Sequence, residues 1–338
     1  MPAWRAAFAW ALLVPALAWG VGQCASDRWW WSQWLFWIPP AVPLMCTLGA
    51  VPLLWRGPHR DAASTRRGAR GWTGVALNLA VCAAVIATGA ATMRWISWGR
   101  TGDGVQAASH PALRIVHLNA RWPGDATQLG AAIMSRPADV HAISEAGAVL
   151  RAPAVRAAAD AGATAIQVGR FAVISRCPVI EARAVYDDGA IAASWIRFGP
   201  TGSLPEWSML MVDAPRRLGV SRSAIFGTLR AALDAMPMPA PDIVIGDMNT
   251  TPGSVAVRGT WPMMADACEE SGRGLRATFP RAYPLWAIDR CLAGPAWEPV
   301  SWIAWDPGIG AHRGQEITLV ANGTVRAQAP GTRPQLSP

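Results

Sequence analysis

The chain has 338 residues, 52% of them apolar and 15% charged, with a formal net charge of +8. That length suggests about two units, the apolar share excludes a disordered chain, and only six cysteines in so long a chain exclude a disulfide-stapled miniprotein. All thirty basic residues are arginine; residues 1–100 hold nine of them against Asp27 and Asp61, whereas 101–338 hold 21 against 20 acids, so the basicity belongs to the apolar front third and does not form a nucleic-acid stripe.

Three uncharged apolar stretches come first, at about 6–22, 34–55 and 72–93, each long enough to cross roughly 30 Å of hydrocarbon. Trp29, Trp30, Trp31, Trp34 and Trp55 cluster near the ends of the second, like an interfacial belt, while Pro39, Pro40, Pro43 and Pro52 fall inside it and imply kinks. The segment 56–71 carries five arginines against Asp61, so the positive-inside rule puts it in the cytoplasm. The expectation is a multi-pass anchor over 1–100 in the cytoplasmic membrane, a linker over 101–112, and a C-terminal domain on the periplasmic or extracellular side. A cleavable signal peptide is the alternative for the first span.

From residue 113 the texture changes. Strand-type runs stand at 113–118, 139–144, 171–175, 191–198, 208–213, 242–246, 287–294 and 316–320, and helical segments at 125–136, 147–161 and 221–236. This alternation predicts an α/β or α+β domain over 113–320. Residues 321–338 read as a disordered tail.

Polar residues stand where apolar strands stop. Asn119 follows LRIVHL, Glu145 follows DVHAIS, Asp247 and Asn249 follow DIVIG in the string GDMN, Asp289 interrupts AIDRCLAG, and His312 precedes EITLV. Strand ends on one rim are where α/β sites are assembled. These residue types suit hydrolysis of a phosphate ester. A hard cation takes a carboxylate such as Glu145, Asn119 orients a ligand without adding charge, Asp247 holds or deprotonates water, Asn249 fixes geometry, and Asp289 can keep His312 protonated.

In this order, LRIVHLNAR, ADVHAISEA, AVISRCP, IVIGDMNTTPGS, TFP followed by AIDRCLAG, and GAHRG resemble the endonuclease/exonuclease/phosphatase superfamily, closest to membrane-anchored bacterial members. The resemblance spans 113–320. It implies a four-layer α/β/β/α sandwich, here preceded by three transmembrane helices. It also implies Mg²⁺ or Mn²⁺ held at Glu145 with Asn119, water activation by Asp247, orientation by Asn249, and an Asp289–His312 pair. The implied partners are the lipid bilayer and a phosphate-ester substrate: nucleic acid, a lipid head group or a small phosphodiester.

Two positions depart from the family pattern. Where it has Ser-Asp-His, this chain has Gly310-Ala311-His312, which removes a metal-binding carboxylate. Where most members have a histidine in the middle strand, LMVDAP places Asp213. Two readings follow: a membrane-anchored metal-dependent phosphoesterase, or a catalytically degenerate member that hydrolyses little and serves as a membrane-tethered binding protein. Arg216 and Arg217, just beyond Asp213, are either anion contacts or solvated loop charges. His110, His117 and His141 lack metal-ligand spacing. Cys268 and Cys291 are the expected disulfide if one forms outside the membrane.

Overall fold

A computed structural model of the chain describes residues 3–54, 83, 86, 96–98, 111–121, 124–217 and 219–322. Contacts divide it into two units, one of residues 1–96 with 218–222 and one of 97–217 with 223–338.

In the first unit α1 (Ala3–Ala25) packs against α2 (Trp30–Phe36) and α3 (Ala41–Leu54). Here the membrane expectation is corrected: among the described residues no helix is long and apolar enough to cross a membrane. The stretch 34–55 is not one span. It breaks between Phe36 and Ala41, around Pro39 and Pro40, and leaves helices of 7 and 14 residues. The longer reaches only about 21 Å at 1.5 Å per residue. Along α1, Ala, Gly and Trp dilute the apolar side chains and Pro15 interrupts the hydrogen-bond ladder. The stretch 72–93 lies outside the described residues apart from Ala83 and Ile86. The expected multi-pass inner-membrane localisation, with a domain outside, is overturned on this ground, and the resemblance to membrane-anchored members in particular is left without support.

The second unit is built on two sheets. The larger has the strand order β1-β11-β13-β14-β2-β3-β5-β4, formed from β1 (Ile96–Trp98), β2 (Ala112–Asn119), β3 (Val140–Ser144), β4 (Thr164–Val168), β5 (Phe171–Ser175), β11 (Gly272–Leu275), β13 (Trp297–Trp305) and β14 (Gly314–Ala321). The smaller runs β10-β12-β9-β8-β7-β6, from β6 (Val179–Asp187), β7 (Ala192–Phe198), β8 (Trp207–Asp213), β9 (Ile243–Asp247), β10 (Ala265–Asp266) and β12 (Asp289–Ala293). Both are mixed: β2 pairs β3 and β8 pairs β9 in parallel, while β14 against β2 and β12 against β9 are antiparallel.

Side-chain alternation assigns each face. Leu113 and Ile115 of β2, Met209 and Met211 of β8, Ile243 and Ile245 of β9, and Cys291 and Ala293 of β12 enter one core between the sheets. The intervening Val116 and Leu118 meet α4 (Ala126–Met134) and α5 (Pro153–Asp160) on the outer face of the larger sheet. Leu210, Val212, Val244 and Leu292 meet α6 (Arg222–Asp234) and α7 (Val255–Thr260) on the outer face of the smaller. The result is helix, sheet, sheet, helix. The inner strands are buried on both faces, which is why they read as unbroken apolar runs. Each fully buried Leu, Ile or Met in these layers contributes about 1.5–3 kcal/mol.

Several strands were not legible in the sequence. β6 is an edge strand with polar and exposed side chains along its length, so it shows no apolar run. β13 contains Pro299 and a register irregularity between Pro299 and Ser301. The helical segment expected over 147–161 is shorter, because a 3₁₀ turn at Val149–Arg151 precedes α5, whose first residue is Pro153. The expected Cys268–Cys291 disulfide is also corrected. Cys177, Cys268 and Cys291 are buried free thiols. They sit in the apolar core between the sheets, where burial pushes the Cys268 and Cys291 thiols far up.

Candidate active site

The same alternation that fills the core places the polar residues. Asn119 lies two residues beyond His117 and four beyond Ile115. Asp213, Asp247 and Asp289 likewise continue the inward-facing series of β8, β9 and β12. The core between the sheets therefore ends in a polar rim, and strand direction decides which ends share it. β2, β3, β8 and β9 arrive with their C-termini, and the antiparallel β12 and β14 begin there. In register, Asp247 is the partner of Asp213 on one side and Asp289 on the other.

Asp247 is buried and held by hydrogen bonds. The Asn119 Nδ2 donates to its Oδ2 at 2.9 Å, from the other sheet, and the Asn249 backbone N–H donates to its Oδ1 at 2.8 Å. Asn249 has φ +44°, a conformation tolerated by Asn, and its Nδ2 donates to the Ala214 carbonyl at 2.7 Å. Asn249 thus ties the GDMN segment to the end of β8. Gly246 is required by close approach and not by a turn: it lies within β9, and a Cβ there would overlap the Val212 carbonyl oxygen.

Asp289 accepts from His312 Nδ1 at 2.9 Å, and its backbone N–H donates to Thr278 Oγ1 at 3.3 Å. Both side chains are fully buried. The bond to Asp289 places the Nδ1 proton and turns Nε2 toward Asp247, whose Oδ2 is 4.0 Å away; among the described residues Nε2 has no hydrogen-bond partner. Phe279 packs on the imidazole with ring centroids 4.8 Å apart. Burial works to lower the His312 pKa, and the charge and hydrogen bond of Asp289 outweigh it, so the ring is held above its ordinary value. Asp289 shows the converse: burial raises it, and His312 brings it below the usual carboxylate range. Asp247 is pushed up to about 7 by burial and then by the charge of Asp289, against His312.

The opposite side is looser. Glu145 follows β3 with φ +49°, half-exposed, its Oε1 3.4 Å from an Arg121 guanidinium. The buried Asp213 lies 3.9 Å from Arg170, which is itself clamped to Asp187 by bonds of 2.6 and 3.1 Å. Burial and then the charges of Asp247 and Glu145 push Asp213 up to about 8, against Arg170 and Arg121.

These donors fit a divalent cation. Glu145 and Asp213 are hard oxygen donors, and the charges of Asp247 and Glu145 raise Asp213, a repulsion that a cation beside them would cancel. Asn119 has both polar atoms engaged, Nδ2 with Asp247 and Oδ1 with the Arg121 N–H at 3.0 Å, so its oxygen keeps one lone pair for a further ligand. Asp247, Asp289 and His312 also present ligand atoms within 4.8 Å of one another, although His312 Nδ1 is already bonded to Asp289. Ala311 offers no donor side chain.

The structure brings Asn119, Asp247, Asn249, Asp289 and His312 to one rim and sets Glu145 at the end of β3, one residue past the pairing partner of Asn119. Sequence reasoning missed Thr278, Phe279, Arg121 and Arg170. Thr278 and Phe279 stand in the TFP string and Arg121 ends LRIVHLNAR, the signals that could have found them. His117 and His141 are not ligands to this rim. His117 bonds Ser144 Oγ at 3.1 Å and Gln315 Nε2 at 3.0 Å inside the core, with burial taking it down to about 4, and His141 lies against the Arg136 carbonyl at 2.9 Å.

Residues 116–311 match the Endonuclease/Exonuclease/phosphatase family. No curated protein matches the chain. Among solved structures, a functionally unknown conserved protein from Enterococcus faecalis V583 is 14% identical, with a TM-score of 0.50 over 62% of this chain and 100% of its own, a likeness of fold. A mannosyl-6-phosphatase of Bacteroides thetaiotaomicron VPI-5482 is 14% identical over 62% of this chain and 99% of its own, with a TM-score of 0.46. D. rerio TDP2 complexed with single strand DNA product is 14% identical over 62% and 98%, with a TM-score of 0.47.

Proposed function

The chain belongs to the endonuclease/exonuclease/phosphatase family, and from that membership we propose that it is a phosphoesterase that hydrolyses a phosphate ester with the help of Mg²⁺ or Mn²⁺. Members of the family are hydrolases that generally use divalent metal ions. The observation that carries the reading is the pair of opposed buried groups, Asp247 and His312, each fixed by its own hydrogen bonds and facing across 4.0 Å.

Asp247, once ionised, takes the proton from the attacking water. Asn119 and the Asn249 N–H hold its two oxygens so that proton transfer needs no reorientation. His312, kept protonated by Asp289, presents Nε2–H to a phosphoryl oxygen and stabilises the charge that develops there. Glu145 would hold the metal ion, with the remaining lone pair of Asn119 Oδ1 and the Asp213 carboxylate beside it. When bound, the ion supplies positive charge to the phosphoryl group.

The absence of a carboxylate at Ala311 favours the second reading, a phosphate-binding protein that turns over little. Calorimetric titration of Mn²⁺ into the full chain, paired with release of p-nitrophenol from p-nitrophenyl phosphate and bis(p-nitrophenyl) phosphate, separates the two. A phosphoesterase binds the ion and loses turnover on chelation. A chain that binds no ion and releases no product with either ester would sink the proposal.

A further inference from the structure

His312 and Asp289 form a charge-neutral pair, so they add no net positive charge to the wall against which a phosphoryl group would lie. That wall has another member. Arg216, three residues past Asp213 on the segment leaving β8, lays its guanidinium over the Phe279 ring with its carbon 5.0 Å from the centroid. His312 is also a neighbour of Phe279, at 4.8 Å, and the charge of Arg216 is felt at His312. Arg216, Phe279 and His312 are therefore consecutive along one side of the rim.

The ring is pinned. Phe279 exchanges backbone hydrogen bonds with Trp286, closing a short hairpin over 278–286. The hairpin is tied to the loop that carries His312: the Arg281 N–H donates to the Ala311 carbonyl at 2.8 Å, the Arg313 N–H donates to the Thr278 carbonyl at 2.7 Å, and the Arg281 guanidinium reaches Asp306 at 3.0 Å. The shelf on which Arg216 rests is thus fixed relative to the catalytic histidine.

Resting on the phosphoesterase reading above, we propose that Arg216 is the substrate-binding cation of this site and makes it select phosphomonoesters over phosphodiesters. A terminal phosphate is a dianion at neutral pH and a diester a monoanion. The second charge finds a planar, permanently charged fork beside His312, whose N–H groups bond two phosphoryl oxygens at once. A diester has only one charge to place, and its second ester group would meet the Arg216–Phe279 shelf.

The test uses the full chain with Mg²⁺, p-nitrophenyl phosphate and bis(p-nitrophenyl) phosphate, and separately the calorimetric affinity for inorganic phosphate. Wild type is expected to prefer the monoester. Arg216→Gln is expected to weaken phosphate binding about 10-fold or more and to lower kcat/KM for the monoester by at least as much, with a much smaller effect on the diester. Arg216→Lys, which keeps the charge, should retain most of the preference, and Arg217→Gln, one residue along and exposed, should match wild type. A wild type that prefers the diester, equal losses on both esters, or phosphate affinity unchanged in Arg216→Gln would overturn the inference. Arg216-dependent phosphate binding with no turnover of either ester would overturn the phosphoesterase reading, and with it the ester selectivity, and leave Arg216 as the phosphate-binding cation.

Discussion

The two halves of the rim are held by different forces. On one side Asp247, Asn249, Asp289 and His312 are buried and hydrogen-bonded, four groups fixed before any ligand arrives. On the other, Glu145 is half-exposed against one arginine, and Asp213 is a buried carboxyl whose nearest cation, at 3.9 Å, is engaged elsewhere. The first half is preorganised for proton transfer. The second carries like charges that lower the stability of the fold until a cation joins them. On the proposed function, geometry that must be right during reaction is fixed by hydrogen bonds, and affinity for an ion would be supplied by repulsion that the ion relieves.

The sharpest way to break this comparison is Asp247→Asn. It keeps the shape, removes the base, and should lower kcat/KM about 10³-fold with little change in Mn²⁺ affinity, read by steady-state kinetics and calorimetry. Glu145→Gln should do the reverse, weakening Mn²⁺ binding about 10-fold or more while the melting temperature without metal stays within about 2 °C. If Glu145→Gln binds Mn²⁺ like wild type, the looser half is not the metal side.

The pH dependence sharpens the contrast further. The base requires Asp247 ionised, so the rate should rise with pH through about 7. It also requires His312 protonated, and should fall again above the raised pKa of that ring. Stability runs the other way. Asp213 and Asp247 have folded pKa values above the unfolded value of 3.8, so the folded chain binds more protons between about 4 and 8. Their contribution is fully present below the unfolded value and is lost as pH rises through that window. Metal-free protein should melt at lower temperature at pH 8 than at pH 5, and Asp213→Asn should recover about 2–4 °C at pH 8, the shift that ~1 kcal/mol produces in a domain of this size. The smallest effect is expected from Arg121→Gln: its pair with Glu145 is partly solvated, so stability should change by less than about 1 kcal/mol in urea unfolding.

The preorganised half was legible, as were Glu145 and Asp213 of the looser one. Asp247, Asn249, Asp289 and His312 stand at the ends of apolar runs because strand alternation and sheet closure put strand ends on one rim, and a linear sequence records both. The buried strands were legible for the same reason, and β6 and β13 were not, because an exposed edge and a proline-bearing bulge erase the pattern. Arg170 was invisible, and Phe279 was marked only by the TFP string, because their roles come from turns and hairpins folded over the rim from elsewhere. The apolar front of the chain misled most. A count of apolar residues reads 34–55 as continuous, whereas the break around Pro39 and Pro40 splits it into two short helices.

The most direct test of the account is turnover of p-nitrophenyl phosphate with Mg²⁺ by wild type, Asp247→Asn and His312→Gln of the full chain, with circular dichroism of each. The account predicts metal-dependent turnover by wild type and losses of about 10²-fold or more in both variants at unchanged fold. Turnover that survives both substitutions, or none in a folded wild type, would contradict it.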